Sequence, residues 1–501
     1  MVARLVIAAP SSGAGKTTIA TGLMAALVKA GLTVSPHKAG PDYIDPGYHA
    51  LATGRPGRNL DPFLTSEELV APLFLHGARD ADIAIVEGVM GLFDGLPDGY
   101  ASTAHVARLI DAPVVLVVDT TGQGQSVAAL VHGFAGFDTR VRIGGVILNR
   151  VGSDRHEEVC RAALDHSGVQ VLGVIRRTPG IETPSRHLGL IPVAERRREA
   201  VEAVERLGDL VARGCDLQAL VHLAHTAPPL AGEPWSPRFE RGEGSATAGE
   251  NSAQPHSSAG PELLRSAGQL SAEASRSTGQ FPVRAFGSPG KSVQPESSAG
   301  RLSAQPSGSS GKIVVAVAGG PAFTFGYAEQ AELLEAAGAE VVPFDPLRDE
   351  QLPEGTKGLI LPGGFPEMHV HELAANDRLK QRIAAFDGPI LAECGGLLYL
   401  ARELDGHPMV GRIDAKSEMS PKLTLGYRDA VVTQDTVIGR AGERVRGHEF
   451  HRTVTELPGE RVYRWRGGAD GYAAGRILAS YLHLHWAGTP EAATRFVKEC
   501  G

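Results

Sequence analysis

One stretch near the N-terminus constrains everything around it: Pro10-Ser-Ser-Gly-Ala-Gly-Lys-Thr-Thr18. Such a loop turns backbone N–H groups inward, lets anionic oxygens approach small residues, and ends on a lysine that reaches the outer phosphates. It needs a buried strand before it and a helix after it. The sequence supplies both, with apolar Leu5–Ala9 ahead and Ile19, Leu23, Ala26 and Leu27 at helical spacing behind. Gly13, Gly15, Lys16, Thr17 and Thr18 are therefore the expected contacts of a nucleotide triphosphate, ATP, and the Thr17 hydroxyl is an expected Mg2+ ligand. The common pattern begins with glycine where this chain has Pro10, which marks a subgroup of the nucleotide-binding fold.

More short, β-branched runs follow at Ile83–Glu87, Val114–Asp119 and Ile143–Asn149, separated by amphipathic stretches. Buried parallel strands read this way, so residues 1–230 are expected to form an α/β domain on a parallel sheet. Residues 311–501 start similarly, with Ile313–Ala318, Gly358–Leu361 and Pro389–Ala392, and form a second α/β domain. Between them, residues 231–310 are rich in Ser, Gly and Pro and repeat themselves loosely (Gln254-Pro-His-Ser-Ser-Ala-Gly260 against Gln294-Pro-Glu-Ser-Ser-Ala-Gly300). That composition cannot bury enough apolar surface to offset its ordering entropy, and a disordered linker is expected there. A length of 501 residues fits two or more domains, and a net charge of -8 argues against a general nucleic-acid binder. The four cysteines form no CxxC pair, and neither a signal peptide nor a membrane span is expected, which points to the cytoplasm.

Ligands of open parallel sheets bind beyond the carboxyl ends of the strands. Glu87 ends one strand there, and Asp42 and Asp45 lie in His37-Lys-Ala-Gly-Pro-Asp-Tyr-Ile-Asp-Pro46. Glu87 and Asp45 with Thr17 are the candidate metal ligands, and Lys38 is placed to offset charge on a transferring phosphoryl group. Asp45 reads equally as an Asp-Pro turn residue, and Asp42 as a solvated loop acid. Asn149, at another strand end, offers an amide that suits an adenine edge, or else ends the strand in a turn. Asp119 stays open between loop architecture and substrate contact, and Arg186 and His187 between anion binding and helix capping.

The second half carries Leu391-Ala-Glu-Cys-Gly-Gly-Leu-Leu-Tyr-Leu400, a strand-to-helix junction with a cysteine at the turn. A nucleophile there is exposed, and a following helix N-terminus favours the thiolate. The Gly395 N–H, with a second donor from Gly363-Gly364-Phe365, suits a developing oxyanion. A thiol of ordinary pKa needs a base. His483 and His485, in Ser480-Tyr-Leu-His-Leu-His-Trp486, alternate as in a strand and present both rings on one face.

Together Ala9–Thr18, Lys38-Ala-Gly-Pro-Asp-Tyr-Ile-Asp45, Glu87-Gly-Val-Met-Gly-Leu-Phe-Asp-Gly95, Arg186–Leu190, Gly363-Gly-Phe-Pro-Glu367, Ala392-Glu-Cys-Gly-Gly396 and Tyr481-Leu-His-Leu-His485 resemble the cobyrinate or hydrogenobyrinate a,c-diamide synthase family. The resemblance covers nearly everything outside the middle segment. It implies a dethiobiotin-synthetase-like ATP domain and a class I glutamine amidotransferase domain. By the resemblance, Cys394 is the glutaminase nucleophile and His483 its activating histidine. Many related amidotransferases have a glutamate two residues after that histidine; here the position is His485, which implies a dyad. The implied reaction uses ATP, Mg2+ and glutamine to amidate two carboxylates of a corrinoid acid through acyl phosphates, with a protected path for ammonia. Gly320, where many members carry aspartate, tilts the reading toward the metal-free substrate, hydrogenobyrinate. A cobyric acid synthase-like enzyme is disfavoured by Lys16 and Lys38, and a partition-type ATPase switch by Cys394 with His483. By fold analogy a homodimer is possible.

Overall fold

Seven strands form a fully parallel sheet in the first half: β1 (Ala3–Ala8), β2 (Val34–Ala39), β3 (Arg58–Leu60), β4 (Ile83–Glu87), β5 (Val114–Asp119), β6 (Ile143–Val151) and β7 (Val171–Arg176). Their order across the sheet is β3-β2-β4-β1-β5-β6-β7. This computed structural model describes residues 2–166, 168–177, 193–237 and 312–501, with the backbone of Ser185–Arg186 and Gly189–Leu190. The expected linker lies outside the described residues from position 238 on, as do His187 and the side chain of Arg186.

β1 and β4 are buried at every position, which is why Leu5, Val6, Ile7, Ile83, Ile85 and Val86 are all apolar rather than alternating. Two cores follow, one on each face of the sheet. Helix α1 (Lys16–Lys29) leaves β1 through the glycine loop and packs Ile19, Leu23 and Leu27 inward. Helix α2 (Asp45–Thr53) begins at Asp45 and buries Tyr48 and His49.

The second half has a six-stranded sheet in the order 339–344, 313–318, 356–361, 390–393, 477–480, 472–474. The first five strands run parallel, and Tyr472–Ala474 is the antiparallel edge. A second sheet is built on a long antiparallel pair, Ile413–Val432 with Arg444–Thr455, and His483–Leu484 extends it by pairing His483 with His448. The register of Ile390–Glu393 with Ile477–Ser480 places Glu393 opposite Ser480, so the cysteine turn and the histidine strand emerge at the same end of the sheet.

The two halves pack as one compact unit. Phe325 and Phe365 of the second half join a core that includes Ile44 and Tyr48 of the first. Arg58, at the edge strand β3, donates to Glu329 at 2.6 Å and to Glu332 at 2.5 Å, and His76 lies 3.0 Å from Glu332. The Tyr427 hydroxyl donates to Asp61 at 2.7 Å.

Candidate active sites

Gly15 caps α1 in the left-handed region, at φ 98°. A Cβ there would come within 2.3 Å of Asn149 Nδ2, so the position excludes any other residue on two counts. Gly13 is also left-handed, at φ 79°, and faces open space. No acidic residue lies in the first turn of α1, so the positive end of the helix is not neutralised by its own side chains. Lys16 is buried at the loop, with Nζ 3.3 Å from the Ser11 carbonyl. Burial, then the charge on Lys38, lower its pKa. Thr18 is half-buried in the same turn.

Beneath the loop is a compact charge cluster. Lys38 Nζ donates to Asp45 Oδ2 at 2.6 Å and to Glu87 Oε1 at 2.9 Å, and it lies 3.9 Å from Asp42. Thr17 Oγ1 is 2.6 Å from Glu87 Oε1 and 3.3 Å from Asp45 Oδ2. Burial opposes the ammonium of Lys38, but Asp45, Glu87 and Asp42 outweigh it and raise its pKa. Burial likewise opposes ionised Glu87, and Lys38 and His49 outweigh it, holding this carboxyl well below its usual range. The structure thus brings Thr17, Lys38, Asp45 and Glu87 together as the sequence suggested. It adds His49, one turn along α2 from Asp45, whose Nε2 lies 2.6 Å from Glu87 Oε2. Among the described residues, no three His, Cys, Asp or Glu side chains group as a metal site. The oxygen set here is two carboxylates and a hydroxyl, which suits a hard cation that takes its other ligands from phosphate and water.

Asn149 is buried against the loop. Its Nδ2 donates to the Ala14 carbonyl at 2.9 Å, and its Oδ1 accepts from the Arg150 N–H at 2.9 Å. Both amide atoms thus hold backbone, a task the sequence did not reveal. Asp119 accepts from Thr121 N at 2.9 Å and pairs with Arg150, which is loop architecture.

Cys394 sits at φ 46° and ψ -101°, a strained conformation for a residue with a side chain. The turn closes over glycines: a Cβ on Gly395 would meet Gly364 N at 2.9 Å, and one on Gly363 would meet His483 Cε1 at 2.5 Å. The Gly363–Gly364 loop thus touches both the cysteine turn and the histidine ring. Burial pushes the thiol pKa up, the charge of Glu367 adds to it, and the Gly395 N–H only partly offsets them. Neither ring nitrogen of His483 has a hydrogen-bond partner among the described residues. His485 does not join it; its Nε2 lies 3.6 Å from Glu329, and its ring packs on Tyr327 at 4.2 Å.

Tyr43 connects the two sites. It lies in the loop between Asp42 and Asp45, and its ring reaches into the second half. There it contacts Phe325 at 5.1 Å, Tyr327 at 4.7 Å, His448 at 5.5 Å and His483 at 5.1 Å. The same ring lines a cavity of about 480 Å³, whose other lining residues include Asp42, Asp45, Met90, Phe325, Leu425 and His448. Met90 and Leu425 leave large apolar surface exposed there, 45% and 61% of each residue. The aromatic layer around Tyr43 therefore borders both the histidine site and a pocket that reaches Asp42 and Asp45.

These two sites define a class, a nucleotide-binding domain joined to a glutamine amidotransferase. Residues 5–191 match the CobQ/CobB/MinD/ParA nucleotide binding domain, and residues 314–491 match the CobB/CobQ-like glutamine amidotransferase domain. The chain belongs to the hydrogenobyrinate and cobyrinate a,c-diamide synthase family. It is 56% identical to the hydrogenobyrinate a,c-diamide synthase of Streptomyces coelicolor, over 100% of this chain and 98% of the relative. It is 49% identical to that of Thermobifida fusca, over 98% and 96%. It is 38% identical to the cobyrinate a,c-diamide synthase of a Synechococcus strain, over 99% and 98%.

Proposed function

We propose that this chain amidates the a and c carboxylates of hydrogenobyrinate, using ATP to activate each carboxylate and glutamine as nitrogen source. The observation that carries the reading is the Tyr43 ring, which packs on His483 and lines an apolar pocket that reaches Asp42 and Asp45. The flat apolar face of a broad macrocycle suits the wall of that pocket, and a carboxylate at its edge, repelled by Asp42 and Asp45 alone, needs the positive charge of Lys16, Lys38 and a bound cation toward the phosphate loop. The two more similar of the three relatives bear the hydrogenobyrinate name, which favours that acid over cobyrinate.

A carboxylate is a poor acyl donor. Its oxygen attacks the γ-phosphorus of ATP, ADP leaves, and the acyl phosphate then loses phosphate to ammonia. Gly13, Gly15, Lys16 and Thr18 hold the triphosphate, Asn149 keeps the loop in shape, and Lys38 offsets phosphoryl charge. Thr17, Asp45 and Glu87 would hold Mg2+, which supplies charge neutralisation between phosphate oxygens when bound. In the other half, Cys394 Sγ attacks the glutamine amide carbon, His483 carries the thiol proton to the departing ammonia, and water clears the thioester as glutamate. Ammonia then crosses the Tyr43 layer without meeting bulk water, which would protonate and dilute it.

The test is product mass after incubation with ATP, glutamine and each corrinoid acid. Hydrogenobyrinate gaining two amides supports the reading, and no amidation of either acid removes it. Cys394→Ala is expected to abolish glutamine-dependent synthesis while ammonia-dependent synthesis survives; loss of both would overturn the division of labour.

A further inference from the structure

A histidine that takes a thiol proton becomes cationic, and a carboxylate on its far nitrogen both orients the ring and stabilises that charge. The position two residues beyond His483 is not acidic, and its occupant, His485, turns to Glu329, which is already bound to Arg58 at 2.6 Å. Asp470, a second buried acid at this end of the sheet, is also engaged: it accepts from Ser480 Oγ and Tyr481 N, each at 2.6 Å. Glu449 holds Arg428 at 2.5 Å.

Glu393 remains. It is buried, it forms no hydrogen bond with another described residue, and its Oε2 lies 3.5 Å from His483 Nδ1. Among the described residues it is the sole carboxylate within 4 Å of a His483 nitrogen. The other groups against the ring are His448 at 5.2 Å, which burial first and then His483 and His485 keep neutral, Tyr43 at 5.1 Å and Phe325 at 6.5 Å. None of these balances a cation. Neighbours in a strand point to opposite faces, but the positive φ of Cys394 breaks that alternation just after Glu393. The turn is how two adjacent residues come to serve one imidazole.

We propose that Glu393 is the positioning carboxylate of the glutaminase site, in place of the glutamate that related amidotransferases carry two residues beyond the histidine. The proposal rests on the assignment of Cys394 and His483 as the glutaminase pair. When Sγ loses its proton to Nε2, the Nδ1–H faces Glu393, and a closure of about half an ångström makes this contact a charge-assisted hydrogen bond.

The experiment uses the full chain with two variants. Glu393→Ala is expected to lower glutamine-dependent kcat on the order of 10²-fold, with the glutamine KM held within about twofold. Glu393→Gln keeps shape and an acceptor but no charge, and is expected to lose less. Ammonia-dependent synthesis stays at the wild-type level in Glu393→Gln. That variant decides the matter if Glu393→Ala does not fold. Glutaminase kcat within about threefold of wild type in both variants, a raised KM with kcat retained, or joint loss of glutamine- and ammonia-dependent synthesis in Glu393→Gln would each overturn the proposal. Cys394→Ala runs alongside; if it keeps glutaminase activity, the underlying pair is wrong rather than the role of Glu393.

Discussion

Gly15 shows how much one position can fix. Its left-handed backbone starts α1, and its missing side chain lets Asn149 reach the Ala14 carbonyl. An alanine there takes on about 1–2 kcal/mol of backbone strain and displaces the amide that holds the loop. Gly15→Ala is expected to raise the ATP dissociation constant at least about tenfold, since about 1.4 kcal/mol corresponds to that factor. Calorimetric titration reads it directly, and glutaminase turnover should be untouched; an unchanged constant would show that the loop is held some other way. The glycines and Lys16 were legible in the sequence because strand, loop and helix are contiguous. The Asn149 clamp was not, because the residue it steadies lies across the sheet. His49 was missed for the same reason. It shares a face of α2 with Asp45, but nothing local announces its contact with Glu87.

At the scale of elements, the loop joining β2 to α2 belongs to both chemistries. Asp42 and Asp45 face Lys38, and Asp45 also reaches Thr17, while Tyr43 between them lies on the rings of the other half. Removing that ring opens the layer and takes one packing partner from His483, while Cys394, Glu393 and the Lys38 cluster keep their own contacts. Tyr43→Ala is therefore expected to retain glutamine hydrolysis but to form more than one glutamate per amide made. Synthesis from high external ammonia should be less affected. A ratio still at one would mean that ammonia takes another route. Four of the seven parallel strands of the first half were readable from sequence, because burial on both faces makes each an apolar, β-branched run, as in Val114–Asp119, whereas β2 went unread because Pro36, His37 and Lys38 interrupt it, and β3 because it is three residues long. The long pair Ile413–Val432 and Arg444–Thr455 went unread, since exposed and half-buried positions are interspersed through both strands and give no continuous apolar run. With it went His448, which packs on His483 only because that strand pairs with His483–Leu484.

The whole molecule also carries buried imidazoles that contribute to its acid response. Burial, then Arg58, Arg55 and His49, push the pKa of His37 down to about 3. An unfolded histidine titrates near 6.5. Between those values the unfolded chain binds the extra proton, so His37 contributes stability that is present above about pH 6.5 and is lost as pH falls toward about 3. The limit is about 1.4 kcal/mol per pH unit for one group. Denaturant melts of His37→Leu between pH 7 and pH 5 should show a flatter decline than wild type, and parallel slopes would discount the effect. The Arg58–Glu329 pair and the aromatic layer have a consequence of another kind. Each half presents to the other a surface that would be wetted if the partner were missing: Phe325 and Phe365 on one side, Ile44 and Tyr48 on the other, with Arg58 and Glu329 each losing the partner it now holds. A gene cut between the halves would need both products made together, because neither piece is finished as a soluble body alone. The shared interior is what ties the two halves into one body.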